Sequence, residues 1–153
     1  MKEIILSQGK VALVDDEDFD RVSVHKWFVN RIGNTNYVSR NLSRGKTQTL
    51  HRFLCPGIRL VDHKDGNGLN NQKFNLRPAN RSQNGANSVK QSGRSSKFKG
   101  VTWDKRCGLW QAGIMVSYKR LHLGRYESEE DAAHVYDYAA KIYFGEFARP
   151  NFL

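Results

Sequence analysis

An aspartate and a histidine stand side by side at Asp62 and His63, and two asparagines, Asn75 and Asn84, follow further along the chain. A carboxylate and an amide carbonyl both offer hard oxygen atoms that suit a cation such as Mg²⁺. A neutral imidazole can take a proton from water. Two protein ligands leave an ion open to water and to a phosphate. The set therefore predicts metal-assisted hydrolysis of a phosphodiester.

The adjacency of Asp62 and His63 in the sequence also predicts the directions in which their side chains point. Neighbouring side chains of an extended segment point to opposite faces, so the imidazole would face away from a cation held by Asp62. Asn75 carries a donor and an acceptor, which is enough to tie two loops together and orient the histidine. The competing interpretation is that Asp62 and His63 only cap a turn. The presence of Asn75, Arg77 and Asn84 further along the chain favours the catalytic interpretation.

Composition and charge indicate a folded protein with a polyanionic partner. The chain has 153 residues, of which 39% are hydrophobic and 26% charged, and its formal net charge is +10. This length suits one ordinary domain or two small ones. The sequence has no apolar run long enough for a membrane span and no secretory apolar segment, so we expect a cytoplasmic protein, or a nuclear one if the source has a nucleus. Cys55 and Cys107 are expected to be free thiols.

The sequence also predicts where the elements lie. Residues 1–61 have the pattern of short strands and turns, and the asparagine-rich residues 61–87 that of side-chain-tied loops. Residues 79–90 could form a helix that carries Asn84. The polar, small residues around 91–97 are typical of a linker. We therefore expect domains at 1–90 and 98–153.

The second domain is predicted to be a three-stranded antiparallel sheet with one helix on its apolar face. The strand-like segments are 98–103, 110–116 and 120–126, and a helix should begin at Ser128 and end at Gly145. In the middle strand Ala112 and Ile114 share one face with apolar neighbours, whereas Gln111, Gly113 and Met115 share the other. The alanines of the helix allow it to approach the sheet closely. The opposite face is left open.

The segment from Val61 to Asn71, followed by Asn75-Leu76-Arg77 and Gln83-Asn84, resembles the HNH homing endonucleases of phages and mobile introns. The resemblance implies an α+β fold with a ββα-metal, or His-Me finger, unit. It also implies that His63 is the general base, that Asn75 stabilises the loop and the histidine, and that Asp62 and Asn84 hold one Mg²⁺ or Mn²⁺ ion. His51 and Arg52 are expected near this site. Many family members have asparagine where Asp65 stands and aspartate where Asn70 stands.

Residues 97–153 contain a second resemblance, carried by Lys97–Trp103, Leu121–Tyr126, Ala132–Ala140 and Phe144–Ala148 with Asn151 and Phe152. These segments resemble the APETALA/ethylene-response-factor DNA-binding domain of plant transcription factors, which lays its sheet in the major groove. The DNA-contacting candidates are Lys99, Thr102, Lys105, Arg106, Gln111, Gly113, Met115, Arg120 and His122. Lysine and arginine would mainly contact phosphates, and Gln111 could pair with adenine. Since several plant positions are replaced here, the plant target does not transfer.

Together these features predict a metal-dependent endonuclease that cuts duplex DNA, with a homing or mobile-element role, acting as a monomer or a DNA-induced dimer. No membrane and no small-molecule cofactor are expected as partners. One alternative is a DNA-binding regulator whose nuclease unit is degenerate. Another is an RNA-binding protein or ribonuclease.

Overall fold

The computed structural model describes residues 1–90 and 93–152. Residues 91 and 92, which belong to the predicted linker, and residue 153 lie outside the described part. The chain divides into two compact units, Met1–Ala79 and Asn80–Leu153. The segment 80–90 therefore groups with the second unit, although its sequence resemblance placed it with the first. The functional limits at 90 and 98 stay predictions.

The first unit consists of small antiparallel sheets and two short helices. Strands β1 (Lys2–Ile5) and β2 (Val11–Val14) pair with each other, and helix α1 (Asp16–Ser23) follows. Strands β3 (Phe28–Ile32), β4 (Thr35–Asn41) and β5 (Thr47–Thr49) form one sheet in this order, which leads directly into helix α2 (Leu50–Leu54). Strands β6 (Val61–His63) and β7 (Leu76–Pro78) form a hairpin with a long connection.

One apolar core holds this first unit together. It gathers side chains from every element between β1 and β7 except β3 and β5, and partly buried residues such as Val29 pack around it. The buried members are Ile4, Leu6, Ala12, Val14, Val22, Trp27, Val38, Leu50, Leu54, Val61 and Leu76. Burial of this apolar surface stabilises a unit whose strands and helices are individually too short to persist alone. The core thus fixes the β6–β7 hairpin, which carries the predicted catalytic residues.

The second unit begins with helix α3 (Arg81–Asn87), which has a complete capping box. The Asn80 side chain accepts from the backbone N–H of Gln83, and the Gln83 side chain accepts from the backbone N–H of Asn80. Since seven residues make a marginal helix by themselves, this cap and the packing of α3 within the unit must stabilise it.

A three-stranded antiparallel sheet and a long helix complete the second unit. Strands β8 (Val101–Asp104), β9 (Leu109–Val116) and β10 (Lys119–Tyr126) pair in the order β10-β9-β8. Helix α4 (Glu129–Phe144) begins at Ser128, whose side chain accepts from two backbone N–H groups, and ends at Gly145. Ala112 and Ile114 pack against the alanines of α4. The predicted sheet-and-helix arrangement is therefore present.

The first strand of this sheet is shorter than predicted. It begins at Val101, because Phe98 packs into the core beside Phe152. Within the described ranges, none of the helices combines the length and the apolar character needed to span a bilayer.

Candidate active site

The β6–β7 hairpin presents Asp62 and His63 as consecutive strand residues, so their side chains point to opposite faces, as predicted. Their cross-strand partners are Arg77 and Leu76. Both side chains are buried, with relative exposures of 4% for Asp62 and 5% for His63. Arg77 Nε and Nη2 each lie 2.9 Å from Asp62 Oδ2. This buried ion pair fixes the carboxylate within the hairpin.

The loop between the two strands is held by its own polar side chains. Asn75 Oδ1 accepts from the backbone N–H of Asp65 at 3.0 Å, and Asn75 Nδ2 donates to Asp65 Oδ1 and to the Asn70 carbonyl. Asn70 Nδ2 also donates to Asp65 Oδ2 at 2.9 Å. A buried asparagine with three such bonds makes the loop rigid. Asn75 therefore stabilises the loop by hydrogen bonding Asp65 and Asn70.

Gly68 allows this loop to approach strand β4 closely. A Cβ atom at Gly68 would lie 2.5 Å from the carbonyl oxygen of Asn36 and 2.7 Å from the ring of Tyr37. Any larger residue at this position would force the loop and the strand apart. The close approach brings the ring of Tyr37 towards the hairpin.

Asn71 is the asparagine that reaches the imidazole, and the sequence reasoning did not single it out. Its Oδ1 lies 3.4 Å from His63 Nε2. Its backbone N–H donates to Leu13 on β2 at 2.8 Å, and its Nδ2 donates to Gly68. Asn71 is fully buried. The only signal in the sequence was its place among seven asparagines between residues 61 and 87, which does not distinguish one of them.

Three rings from separate parts of the first unit meet at this site. The ring centroids of His51 and His63 are 5.1 Å apart, and the ring of Tyr37 is 5.8 Å from each. The His51 and His63 planes are nearly perpendicular, which is a favourable arrangement for aromatic pairs. Thr49 Oγ1 hydrogen bonds His51 Nε2 at 3.0 Å. His51 thus lies beside His63, whereas Arg52 is an exposed residue of α2.

Burial sets the protonation of these rings. It lowers the pKa of His63 below its usual value, and it lowers the pKa of His51 to about 3. The neighbouring His63 adds to the shift at His51. Burial also raises the pKa of Tyr37. Both imidazoles are therefore neutral at neutral pH, and a neutral imidazole is the form that can accept a proton.

The donor chemistry of this unit suits a hard cation held by few protein ligands. Asp62 offers a buried carboxylate, and no three His, Cys, Asp or Glu side chains of the described residues form a metal-binding group. Mg²⁺ commonly takes one or two carboxylates and completes its shell with water and phosphate oxygens. Asn84, the other predicted ligand, is a half-buried residue of α3 in the second unit. The pairing of Asp62 with Asn84 on one ion stays a prediction.

In the second unit, strand register places most of the predicted DNA contacts on one face. Directly opposed residues of antiparallel strands share a face. Gln111 opposes Thr102, Gly113 opposes His122, and Met115 opposes Arg120. The alternate residues of β9, Ala112 and Ile114, are buried against α4. These candidates thus share the face of the sheet opposite to α4.

Charged side chains surround this open face. Lys105 and Arg106 are exposed in the turn between β8 and β9, and Arg120 lies across Gly113 with its Nε 3.3 Å from the position of a Cβ there. Asp104 pairs with Arg125 at 3.3 Å. The excess of cations gives the face the charge that a phosphate backbone attracts.

Lys99 lies in a different environment from the other candidates. Its ammonium donates to the carbonyl of Ser88 at 2.8 Å and to that of Ala86, both at the end of α3. Burial lowers the pKa of Lys99 to about 8. Asn151 bonds its backbone on both sides, and Asn151 is in turn held by Asp137. Lys99 therefore anchors the end of a helix.

The chain resembles known proteins over most of its length. It is 34% identical over 152 residues to an uncharacterised HNH endonuclease of Acanthamoeba polyphaga mimivirus, an alignment that covers 94% of this chain and 76% of that protein. It is 30% identical over 89 residues to protein 3.8 of Escherichia phage T7, with 58% and 73% covered. APETALA2-like protein 2 of Oryza sativa subsp. indica is 45% identical over 60 residues, which are 38% of this chain and 14% of the plant protein. No family model matches the chain.

Proposed function

Because this chain belongs to the HNH endonuclease family, we propose that it is a metal-dependent endonuclease that hydrolyses phosphodiester bonds in duplex DNA. The observation that carries the proposal is the neutral, buried imidazole of His63 beside the anchored carboxylate of Asp62. Partial similarity to plant APETALA2-like proteins supports DNA as the substrate. A homing or mobile-element role agrees with similarity to viral proteins.

The hydrogen bond between Asn71 and His63 indicates which nitrogen acts as the base. Asn71 Oδ1 is an acceptor, so it favours the tautomer with the proton on Nε2. The lone pair then lies on Nδ1, which takes a proton from the attacking water. Rings of Tyr37 and His51 limit the movement of the imidazole. A fixed imidazole whose lowered pKa keeps it neutral at neutral pH can accept a proton from water.

A divalent ion, Mg²⁺ or Mn²⁺, would be held by Asp62 and Asn84 and would supply electrostatic stabilisation of the charge that develops on the phosphate. Arg77 keeps the Asp62 carboxylate in one orientation. Asn75 keeps the loop after His63 in place. One such site per chain cuts one strand, so a double-strand break requires a dimer or two successive nicks.

The second candidate function is DNA binding without cleavage. The buried ion pair favours it, since the guanidinium of Arg77 already bonds Oδ2, one of the two Asp62 oxygens that a cation could use. Both functions use the open face of the second unit for duplex binding. They differ only in whether the phosphodiester is cut.

A plasmid-nicking assay separates these functions. We expect the wild-type chain to relax supercoiled plasmid with Mg²⁺ or Mn²⁺ and to lose this activity in EDTA. His63→Ala should lower the nicking rate at least about a hundredfold, because the general base is removed, and should leave duplex binding unchanged. His134→Ala, at an exposed histidine of α4, is the matched control and should nick normally. Full nicking by His63→Ala would refute the base assignment, and absence of nicking by the wild type would favour the second candidate.

A further inference from the structure

Within residues 1–90 and 93–152, three turns place two consecutive residues in the left-handed backbone region. The pairs are Gln8 and Gly9 (φ 62° and 65°), Arg44 and Gly45 (60° and 70°), and Ser117 and Tyr118 (47° and 65°). Two such residues in succession are typical of the tight hairpin turn that favours glycine. Glycine takes the second position in the first two turns. In the third, the turn between β9 and β10, a tyrosine stands there.

A bulky residue with positive φ is strained, and such strain persists where the position has another use. Ser117 does not relieve it, since it is also in the left-handed region. The backbone N–H of Ser117 donates to Ser82 Oγ on α3 at 3.3 Å, which holds the turn within the second unit. A glycine would satisfy the same turn without strain. The stability of the turn alone therefore does not explain why a tyrosine, and not a glycine, occupies this position.

The side chain of Tyr118 is 77% exposed at the tip of the hairpin. It borders a pocket lined by residues of α3, β9 and α4, together with Met115, which is 55% exposed, and Arg81. Met115 belongs to the open face of the sheet, and the exposed cations Lys119 and Arg120 directly follow Tyr118 in the chain. An exposed aromatic side chain next to cations fits a polyanion that also carries flat apolar rings. Duplex DNA has both properties.

We propose that Tyr118 contacts DNA by stacking on, or entering between, bases at the end of the footprint of the sheet. This inference rests on the proposed binding of duplex DNA by the open face. Arg120, which opposes Met115 on the open face, holds a phosphate of the same segment, and the tyrosine ring supplies apolar contact that depends little on sequence. The strained turn holds the ring outward, where it can reach the bases.

The test compares full-length variants in binding to a short mixed-sequence duplex, measured by fluorescence anisotropy in EDTA at several salt concentrations. Tyr118→Gly should bind about tenfold more weakly at a given salt concentration, and its thermal midpoint should rise. The slope of log Kobs against log salt should not change, since tyrosine releases no counterions. Tyr118→Phe should bind within about twofold of the wild type. Arg120→Ala, the control for phosphate contact, should reduce the slope by about 1.

These outcomes distinguish the inference from the function on which it rests. If Tyr118→Gly binds as tightly as the wild type while Arg120→Ala binds more weakly, the stacking role of Tyr118 is overturned and DNA binding by the sheet stands. If the wild type does not bind the duplex, both are overturned. If the thermal midpoint of Tyr118→Gly falls, Tyr118→Asn keeps the left-handed turn and provides the same comparison. Self-association that requires Tyr118, with DNA binding unaffected, would also overturn the inference.

Discussion

The ring of His51 contributes to the site by remaining neutral beside His63. Its pKa of about 3 is far below the ordinary value of 6.5, because the ring is buried and faces a second imidazole. The folded protein therefore resists protonation of His51 at a pH where the unfolded chain accepts it. A group of this kind stabilises the fold fully above its unfolded pKa and loses that contribution as the pH falls towards the folded value.

The corresponding prediction concerns stability between pH 6.5 and 3. The free energy of unfolding should fall as the pH decreases through this window, and His51→Gln, which cannot be protonated, should show a smaller decrease than the wild type. Part of the decrease should remain, since the pKa of His63 is also lowered. Urea titrations at neutral pH and at about pH 4 measure the difference. An equal decrease in both proteins would contradict the assignment to His51.

At this scale the sequence predicted residue types better than residue partners. Asp62, His63 and His51 lie in one unit and on adjacent elements. However, the asparagine that reaches the imidazole is Asn71 and not Asn75. The backbone N–H of Asn71 is bonded to Leu13, a residue of β2 that is distant in sequence. Spacing along the chain contains no information about such a pairing. The partner of Asp62 was missed for the same reason, since Arg77 opposes it only through strand register.

The exchanged residue types at Asp65 and Asn70 have a simple explanation in the structure. Many family members carry the amide at the first position and the carboxylate at the second. Here the Asn70 amide donates to the Asp65 carboxylate at 2.9 Å. A carboxylate–amide pair forms the same bond whichever residue supplies the donor. The departure from the family pattern therefore still allows a carboxylate–amide bond that closes the loop.

At the scale of elements, the alternation of apolar and polar residues along β9 correctly predicted which face of the second unit's sheet is buried. Ala112 and Ile114 face α4, and Met115 faces outward, because the period of two is imposed by the strand backbone itself. Phe98 also has a high propensity for strands, but its ring packs against Phe152, near the end of the chain. Propensity is local, whereas this contact is between distant residues. The predicted strand therefore began too early.

The contact of Lys99 with the end of α3 leads to a prediction about stability and DNA binding. Its ammonium caps the carbonyl end of α3, which is the favourable end for a cation. Lys99→Met should therefore lower the free energy of unfolding by about 1–3 kcal/mol. It should leave the salt dependence of DNA binding unchanged, since the side chain is committed within the fold. Lys105→Met, at an exposed lysine near the open face, should instead reduce the salt slope by about 1 without loss of stability.

Denaturation in urea and anisotropy titrations at several salt concentrations measure the two quantities for the same pair of variants. A slope that falls for Lys99→Met as much as for Lys105→Met would show that Lys99 contacts phosphate. That result would restore the interpretation given by sequence resemblance alone.

At the scale of the whole molecule, α3 belongs to one unit by sequence resemblance and to the other by packing. The predicted boundary followed the polar composition around residues 91–97, which marks a segment without a core. The contacts of α3 cross that segment. Ala86 accepts from the backbone of Arg149, and Ser82 accepts from that of Ser117. Composition cannot reveal such contacts, since each joins residues far apart in the chain.

The helix that carries Asn84 should therefore depend on the second unit for its order. In a chain that ends at residue 96, α3 loses Lys99, Ser117 and Arg149 as partners, and a helix of seven residues is too short to persist alone. We expect backbone amides of residues 81–87 to exchange with deuterium slowly in the full chain and rapidly in the truncated one, measured by mass spectrometry. Residues 61–78 are the internal control, because the core around Val61 and Leu76 is complete without the second unit. Slow exchange in 81–87 after truncation would mean that the capping box alone holds the helix. Residues 1–96 would then retain an ordered Asn84 and, with it, every predicted ligand of the nuclease site.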